Sequence, residues 1–141
     1  MDRSASAVWQ GGLKDGKGTL TSDSGVLKQT PYSFHTRFDK EPGTNPEELI
    51  AAAHAGCFTM ALSAQLTEDK HAPEKLETSA TVTLEMKSDG PVVTKIHLKT
   101  RATVPGLDKA RFDELAKKAK EGCPISRLLK GTEIALDAEL V

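Results

Sequence analysis

An α+β fold, with antiparallel strands wrapped around one long apolar central helix, is what this sequence predicts. Three observations carry that expectation. The run that begins at Asn45-Pro-Glu-Glu-Leu reads as a helix that is apolar on nearly every side. The two stretches that follow alternate apolar and polar residues and are joined by Asp89-Gly90, the pattern of an antiparallel sheet with one wet face. An amphipathic helix and one more alternating strand close the chain.

The chain of 141 residues has enough material for a single domain spanning residues 1–141. Its 28% charged and 38% hydrophobic residues are those of an ordinary folded protein, not a disordered one. With a net charge of −1 and Lys and Arg spread along the chain, no basic patch suggests a nucleic-acid partner. The N-terminal residues lack the apolar stretch of a secretory signal, and no run approaches the roughly 18 apolar residues of a membrane span. A reducing cytoplasm is therefore the expected setting, where a disulfide that forms is usually catalytic or sensory.

Taken in order, Ala5 to Trp9, Gly18 to Ser22 and Pro31 to Phe38 are expected strands, separated by turns at Gly11-Gly12 and Asp23-Ser24-Gly25. In the third, Tyr32, Phe34, Thr36 and Phe38 share one face, which sends Arg37 to the other, toward solvent or toward something that needs a cation. The central helix opens with Asn45 as N-cap, Pro46 at the first helical position and Glu48 as capping-box partner. Leu49 to Leu66, rich in alanine, predict burial on most sides. Strands follow at Leu76 to Lys87 and Val92 to Val104. A helix then runs from an N-cap at Asp108 to Lys120, with Phe112, Leu115, Ala116 and Ala119 as its buried stripe. Gly122 ends that helix, Pro124 starts a short one through Leu129, and a strand from Thr132 to Leu140 completes the chain.

Both cysteines sit where chemistry is an option. Cys57 lies in the apolar helix, where a buried thiol is ordinarily a small hydrophobe. It is too far from the helix start for the dipole to activate it, so activation would need a nearby cation or donor. Cys123 precedes Pro124 and reads as the N-cap of the short helix, where free N–H groups favour a thiolate, or as a simple turn residue. By local physics alone, Cys123 is the more acidic thiol. If the two meet, they form a redox pair across a long stretch of chain.

Around them, Glu47 lies about 80° from Cys57 on the helix and about 15 Å along it. That makes Glu47 the acid free to hold Arg37 or meet a substrate, or simply a first-turn acid on the helix dipole. His54 lies one turn before Cys57; a satisfied core histidine, a general base and a ligand of a His/Cys metal site are its three readings. The metal signal is weak, with no Cys-x-x-Cys or His-x-x-x-His beside it. His35, His71 and His97 show no clustering. Gly16-Lys17-Gly18-Thr19 is a turn and strand start, not a phosphate loop.

Read together, Thr44-Asn-Pro-Glu-Glu-Leu49, Ala55-Gly-Cys57 and Gly122-Cys-Pro-Ile-Ser126 resemble the OsmC/Ohr family of thiol peroxidases over nearly the whole chain. Trp9, Gly16-Lys-Gly18, Ser24-Gly-Val-Leu27 and Thr36-Arg-Phe38 extend the likeness. The Ohr branch draws its arginine from an earlier glycine-rich segment, which here carries Lys14 and Lys17, so Arg37 favours the OsmC branch. The resemblance implies Cys57 as the peroxidatic thiol, Cys123 as the resolving thiol, Arg37 as the activating cation and Glu47 as the acid that orients it. This reverses the local ranking of the two thiols.

The resemblance also implies an antioxidant enzyme of the stress response that reduces organic hydroperoxides without metal or cofactor. It further implies an intertwined homodimer and recycling by a dithiol reductant such as a lipoylated protein. Ile50, Phe58 and Leu62 are the expected apolar contacts for an alkyl hydroperoxide. Two rival readings are a redox sensor that uses the same disulfide as a signal, and a small metal-binding protein built on His54, Cys57 and Cys123.

Overall fold

The computed structural model describes residues 1–141. The chain is α+β and divides into two compact units, Met1–Leu49 and Ile50–Val141. Each has its own three-stranded sheet.

In the first unit β1 (Ala5–Gln10), β2 (Lys17–Ser22) and β3 (Thr30–Tyr32) pair antiparallel in chain order. Gly18 is opposite both Trp9 and Tyr32, and the two rings approach to 5.4 Å between centroids. A Cβ at Gly18 would run into the Tyr32 ring, so only glycine lets that ring lie on the sheet.

The strand expected at Pro31 to Phe38 ends early. Only Thr30–Tyr32 is extended, and Phe34–Phe38 forms a short helix, α1. Ser33 caps it: its Oγ accepts from the Thr36 N–H at 3.1 Å, and Thr36 Oγ1 accepts from the Ser33 N–H at 2.8 Å. The aromatic alternation that suggests a strand is also an i, i+4 pair. Phe34 and Phe38 stack across one turn with centroids 4.7 Å apart.

Next comes the long helix α2 (Pro46–Glu68). Asn45 Oδ1 accepts the Glu48 N–H at 2.8 Å, as an N-cap should. The second half of the expected capping box is absent, because Glu48 Oε2 accepts from the Thr44 hydroxyl at 3.4 Å instead. Burial also differs from the expectation. A single stripe, His54, Phe58, Leu62 and Leu66, is buried within the chain, whereas Ala52, Ala53, Gly56 and Ala64 are exposed and Met60 keeps 76% of its surface. By length and composition α2 is long and apolar enough to cross a membrane, a property that the core helix of a folded domain shares.

In the second unit β4 (Lys75–Lys87) and β5 (Gly90–Thr103) form the expected hairpin. Gly90 opens β5 with a φ of 122°, a conformation that favours glycine. Helices α3 (Lys109–Gly122) and α4 (Pro124–Leu128) precede β6 (Glu133–Leu140). β6 pairs with β5 in parallel, so this sheet is mixed and not wholly antiparallel. Parallel neighbours need a crossover, and α3 with α4 supplies it.

The core of this unit joins Phe58, Leu62 and Leu66 of α2, Leu98 and Ala102 of β5, and the Phe112, Leu115, Ala116 and Ala119 stripe of α3. Thr100 is buried among apolar neighbours on β5, and its hydroxyl is satisfied by Thr78 Oγ1 at 2.9 Å and the Glu77 carbonyl at 3.2 Å. Arg111 ties the start of α3 to Asp69 past the end of α2, which holds the Asp69 carboxyl below its usual range.

Phe58 has no exposed surface, so its loss leaves a cavity. Phe58→Ala is expected to lower stability by about 3–5 kcal/mol. Urea unfolding of the two proteins measures the difference.

Candidate active site

The first unit brings Arg37 and Glu47 together. α1 carries Arg37, and the loop after it is fastened back on that helix. Thr36 Oγ1 donates to the Thr44 carbonyl at 2.8 Å, and Asn45 Nδ2 donates to the Thr36 carbonyl at 3.2 Å. Thr44 N–H donates to the Pro31 carbonyl at 3.0 Å, which pins the same loop to β3. Glu47 in the first turn of α2 therefore faces Arg37. The guanidinium binds both carboxylate oxygens: Nη2 reaches Oε1 at 2.6 Å, and Nε lies 3.1 Å from Oε2. This two-toothed geometry suits a fork of planar donors and leaves Nη1 available. The Phe38 ring lies 5.4 Å from Arg37 Cζ. Beside Arg37 opens an apolar cavity of about 340 Å³, bordered by Trp9, Leu13, Tyr32, Phe34 and Phe38.

Unit two brings the cysteines together. Cys123 Sγ donates toward Cys57 Sγ across 2.8 Å, although the two are 66 residues apart in sequence. Both are free thiols in this structure. A covalent bridge needs about 2.05 Å between sulfurs, so joining them takes little movement. Their exposures differ. Cys57 is half-buried, whereas Cys123 is wholly buried between α3 and α4, serving as C-cap of the first and N-cap of the second.

The two thiols sit in different surroundings. The Cys123 side chain makes no cap hydrogen bond on α4. Instead, the Ile125 backbone N–H in the first turn of α4 is directed at Cys57 and favours its thiolate. Burial acts the other way and is stronger. Together with the neighbouring Cys123 sulfur it pushes the Cys57 thiol above its ordinary pKa. Its surroundings on α2 and α4 thus favour the protonated thiol over the thiolate.

His54 is fully buried, and its Nε2 lies 2.7 Å from Ser126 Oγ on α4. Nδ1 is buried without a partner. The assigned tautomer places the proton on Nε2, since an orphaned acceptor costs less than an orphaned N–H. With Nε2 held by Ser126, His54, Cys57 and Cys123 are not assembled into a metal site, and no group of three or more His, Cys, Asp or Glu side chains is arranged to hold a metal. Of the three expected substrate contacts, Ile50 is half-buried, while Phe58 and Leu62 are core residues without exposed surface. Ser126 and Ile125 went unnoticed as sequence. The Gly122-to-Ser126 motif contains both, but nothing in its spacing points to His54 or to Cys57.

A family model described as "OsmC-like protein" matches residues 38–138. The chain belongs to the OsmC family. It is 51% identical over 140 residues to a protein named peroxiredoxin OsmC from Escherichia coli K12, covering 99% of this chain and 97% of that protein. Identity is 32% with the organic hydroperoxide resistance protein OhrB of Bacillus subtilis strain 168, over 81% of this chain and 82% of OhrB. The crystal structure of B. subtilis OhrB matches with a TM-score of 0.69 and 29% identity, covering 98% of each chain. An OsmC-like protein from Vibrio cholerae matches with a TM-score of 0.76 at 19% identity, a likeness of fold.

Burial holds the His54 imidazole below its usual pKa, so the folded state keeps it neutral where the unfolded chain protonates it. Unfolding then takes up a proton as pH falls through about 6.5, and stability drops by up to roughly 1.4 kcal/mol per pH unit until the folded imidazole also titrates. Urea midpoints measured from pH 7 to pH 5 should show wild type losing stability relative to His54→Gln.

Proposed function

We propose that this OsmC-family protein is a thiol peroxidase that reduces organic hydroperoxides to alcohols, with Cys57 as the peroxidatic thiol and Cys123 as the resolving thiol. The observation that carries the assignment is the contact between two thiols far apart in sequence, one reachable from solvent and one enclosed. The relatives' names, peroxiredoxin and organic hydroperoxide resistance protein, support the reaction class.

Arg37 is the proposed cation that offsets the raised pKa of Cys57 and binds the peroxide oxygens. Glu47 is the positioning residue that holds its fork. The Cys57 thiolate attacks the terminal peroxide oxygen; the O–O bond breaks, and the alkoxide takes a proton and leaves as alcohol. Cys57 becomes a sulfenic acid. Cys123 displaces that hydroxyl, which leaves as water, and the disulfide is reopened by a dithiol through exchange. A lipoylated protein is the proposed physiological dithiol.

The alkyl part of the substrate is assigned to apolar surface. Ile50 is the substrate contact proposed on α2, with Phe58 and Leu62 forming the apolar floor of the core behind it. The apolar cavity beside Arg37 supports the same preference. The functional form is a homodimer, in which the exposed Ala52, Gly56 and Met60 face of α2 is covered by a second copy, and residues 1–141 act as one OsmC-like domain within it. The cytoplasm, where disulfides are transient, is the proposed setting.

Rapid mixing of reduced protein with cumene hydroperoxide, followed by thiol counting and intact mass, tests the reaction. Loss of both thiols within seconds, with a mass drop of about two hydrogens, is expected. Thiols that persist for many minutes would refute it. Cys57→Ser should be inactive, and Cys123→Ser should complete one oxidation without recycling.

Arg37→Ala should slow the first oxidation by at least roughly tenfold at neutral pH, the cost of about 1.4 kcal/mol of thiolate stabilisation. Stopped-flow sulfenate formation as a function of pH checks this. A profile unchanged from wild type would remove Arg37 from the activating role.

A further inference from the structure

α2 and α4 meet through two rungs. Cys57 faces Cys123, and His54, three residues earlier on α2, faces Ser126, three residues later at α4. One rung is the redox pair; the other is a buried hydrogen bond at 2.7 Å. α4 has five residues, too few to fix its own conformation in water, and Cys123 gives it no side-chain cap. Its position depends on what it touches. Ile125 packs partly against the core, while Leu128 keeps 76% of its surface. Ser126, itself buried, supplies the side-chain polar tie from α4 to α2, beside the Ile125 N–H directed at Cys57.

We propose that the His54–Ser126 hydrogen bond is a positioning device that sets the register of α4 on α2, holds Cys123 in line with Cys57, and so governs how fast the Cys57 sulfenic acid is resolved. This rests on the peroxidase reading given above. A buried polar pair selects one register more sharply than apolar contact does, since any slip leaves both Nε2 and Oγ unpaired. The resolving step needs that register. Cys123 Sγ must approach the Cys57 sulfur opposite the S–O bond. The S–S bond forms as the S–O bond breaks, the hydroxyl takes the Cys123 proton and leaves as water, and Cys57 is reduced while Cys123 is oxidised. The attack of Cys57 on peroxide does not need Cys123 in place. His54 and Ser126 therefore act chiefly on the second step; their bearing on the first is limited to the Ile125 N–H that α4 directs at Cys57.

The test separates the two steps in the full-length protein. Sulfenic acid is trapped with dimedone and the disulfide is followed by intact mass after mixing with cumene hydroperoxide, in wild type, Ser126→Ala, Ser126→Thr and His54→Leu. Sulfenate formation should change far less than disulfide formation across the four, since only the Ile125 N–H links α4 to the first step. Disulfide formation should slow about tenfold in Ser126→Ala and His54→Leu, the loss of one buried hydrogen bond, and return in Ser126→Thr, which keeps the hydroxyl. In excess peroxide the two slow variants should accumulate sulfinic acid at Cys57.

Disulfide formation at the wild-type rate in Ser126→Ala and His54→Leu would overturn the proposal and leave the peroxidase reading standing. Equal slowing of both steps would also overturn it, since that is general loosening of the fold. Absence of sulfenate in wild type would instead defeat the peroxidase reading. If Ser126→Ala does not fold, Ser126→Thr against His54→Leu makes the same comparison.

Discussion

Burial of one stripe of α2 is the constraint on which the rest depends. His54, Phe58, Leu62 and Leu66 recur every four residues, so they form a band that drifts by about 40° per step around the helix. That band packs into the core with β5 and α3. Cys57, one residue before Phe58, then falls about 100° away, at the edge of the band and not in its centre. The same packing encloses Cys123 at the α3–α4 junction. Partial burial of one thiol and enclosure of the other follow from helix geometry together with the requirement to bury Phe58.

The cost of this placement is chemical. A half-buried thiol is harder to ionise, and the Ile125 N–H only partly offsets it. In the proposed reaction a cation makes up the difference, and a guanidinium suits that task because it stays charged and presents several donors in one plane. Such a group is useful only when held still. In the first unit a capping box, a threonine hydroxyl and an asparagine amide fix the loop so that Glu47 grips the Nε/Nη2 edge of Arg37. Most of the local hydrogen bonding between Ser33 and Glu48 serves this one ion pair.

Legibility in the sequence followed the range of the interactions. The N-cap at Asp108, the break at Gly122 and the β4–β5 hairpin are set by neighbours in the chain, and their residue types announce them. α1 was misread because Phe34 and Phe38 fit both a two-residue and a four-residue period, and Ser33 with Thr36 decides the matter through hydroxyl bonds that alternation does not express. The direction of β6 was hidden for another reason: alternation tells which face is buried, not which way a strand runs. The exposed side of α2 was overestimated as buried, since composition cannot say whether the cover comes from the same chain. Two pairs that the resemblance implies, Arg37 with Glu47 and Cys57 with Cys123, are each in contact within their own unit, whereas the partners of His54 and Cys57 on α4 lie beyond any local pattern.

Local reasoning ranked Cys123 as the more acidic thiol, and the ranking shows what a cap argument omits. A helix N-terminus acts on whatever its N–H groups face, and here the Ile125 N–H serves Cys57 while Cys123 caps with its backbone alone. Access weighs at least as much as acidity. A wholly buried sulfur meets no peroxide from solvent, but it can meet the sulfur beside it. The proposed order, Cys57 first and Cys123 second, is therefore the one in which the half-buried thiol handles the diffusing substrate and the enclosed thiol handles only its neighbour. Enclosure also leaves Cys123 out of reach of a bulky reductant, so in the proposed cycle exchange with a dithiol begins by attack on Cys57 and releases Cys123 as the leaving thiolate.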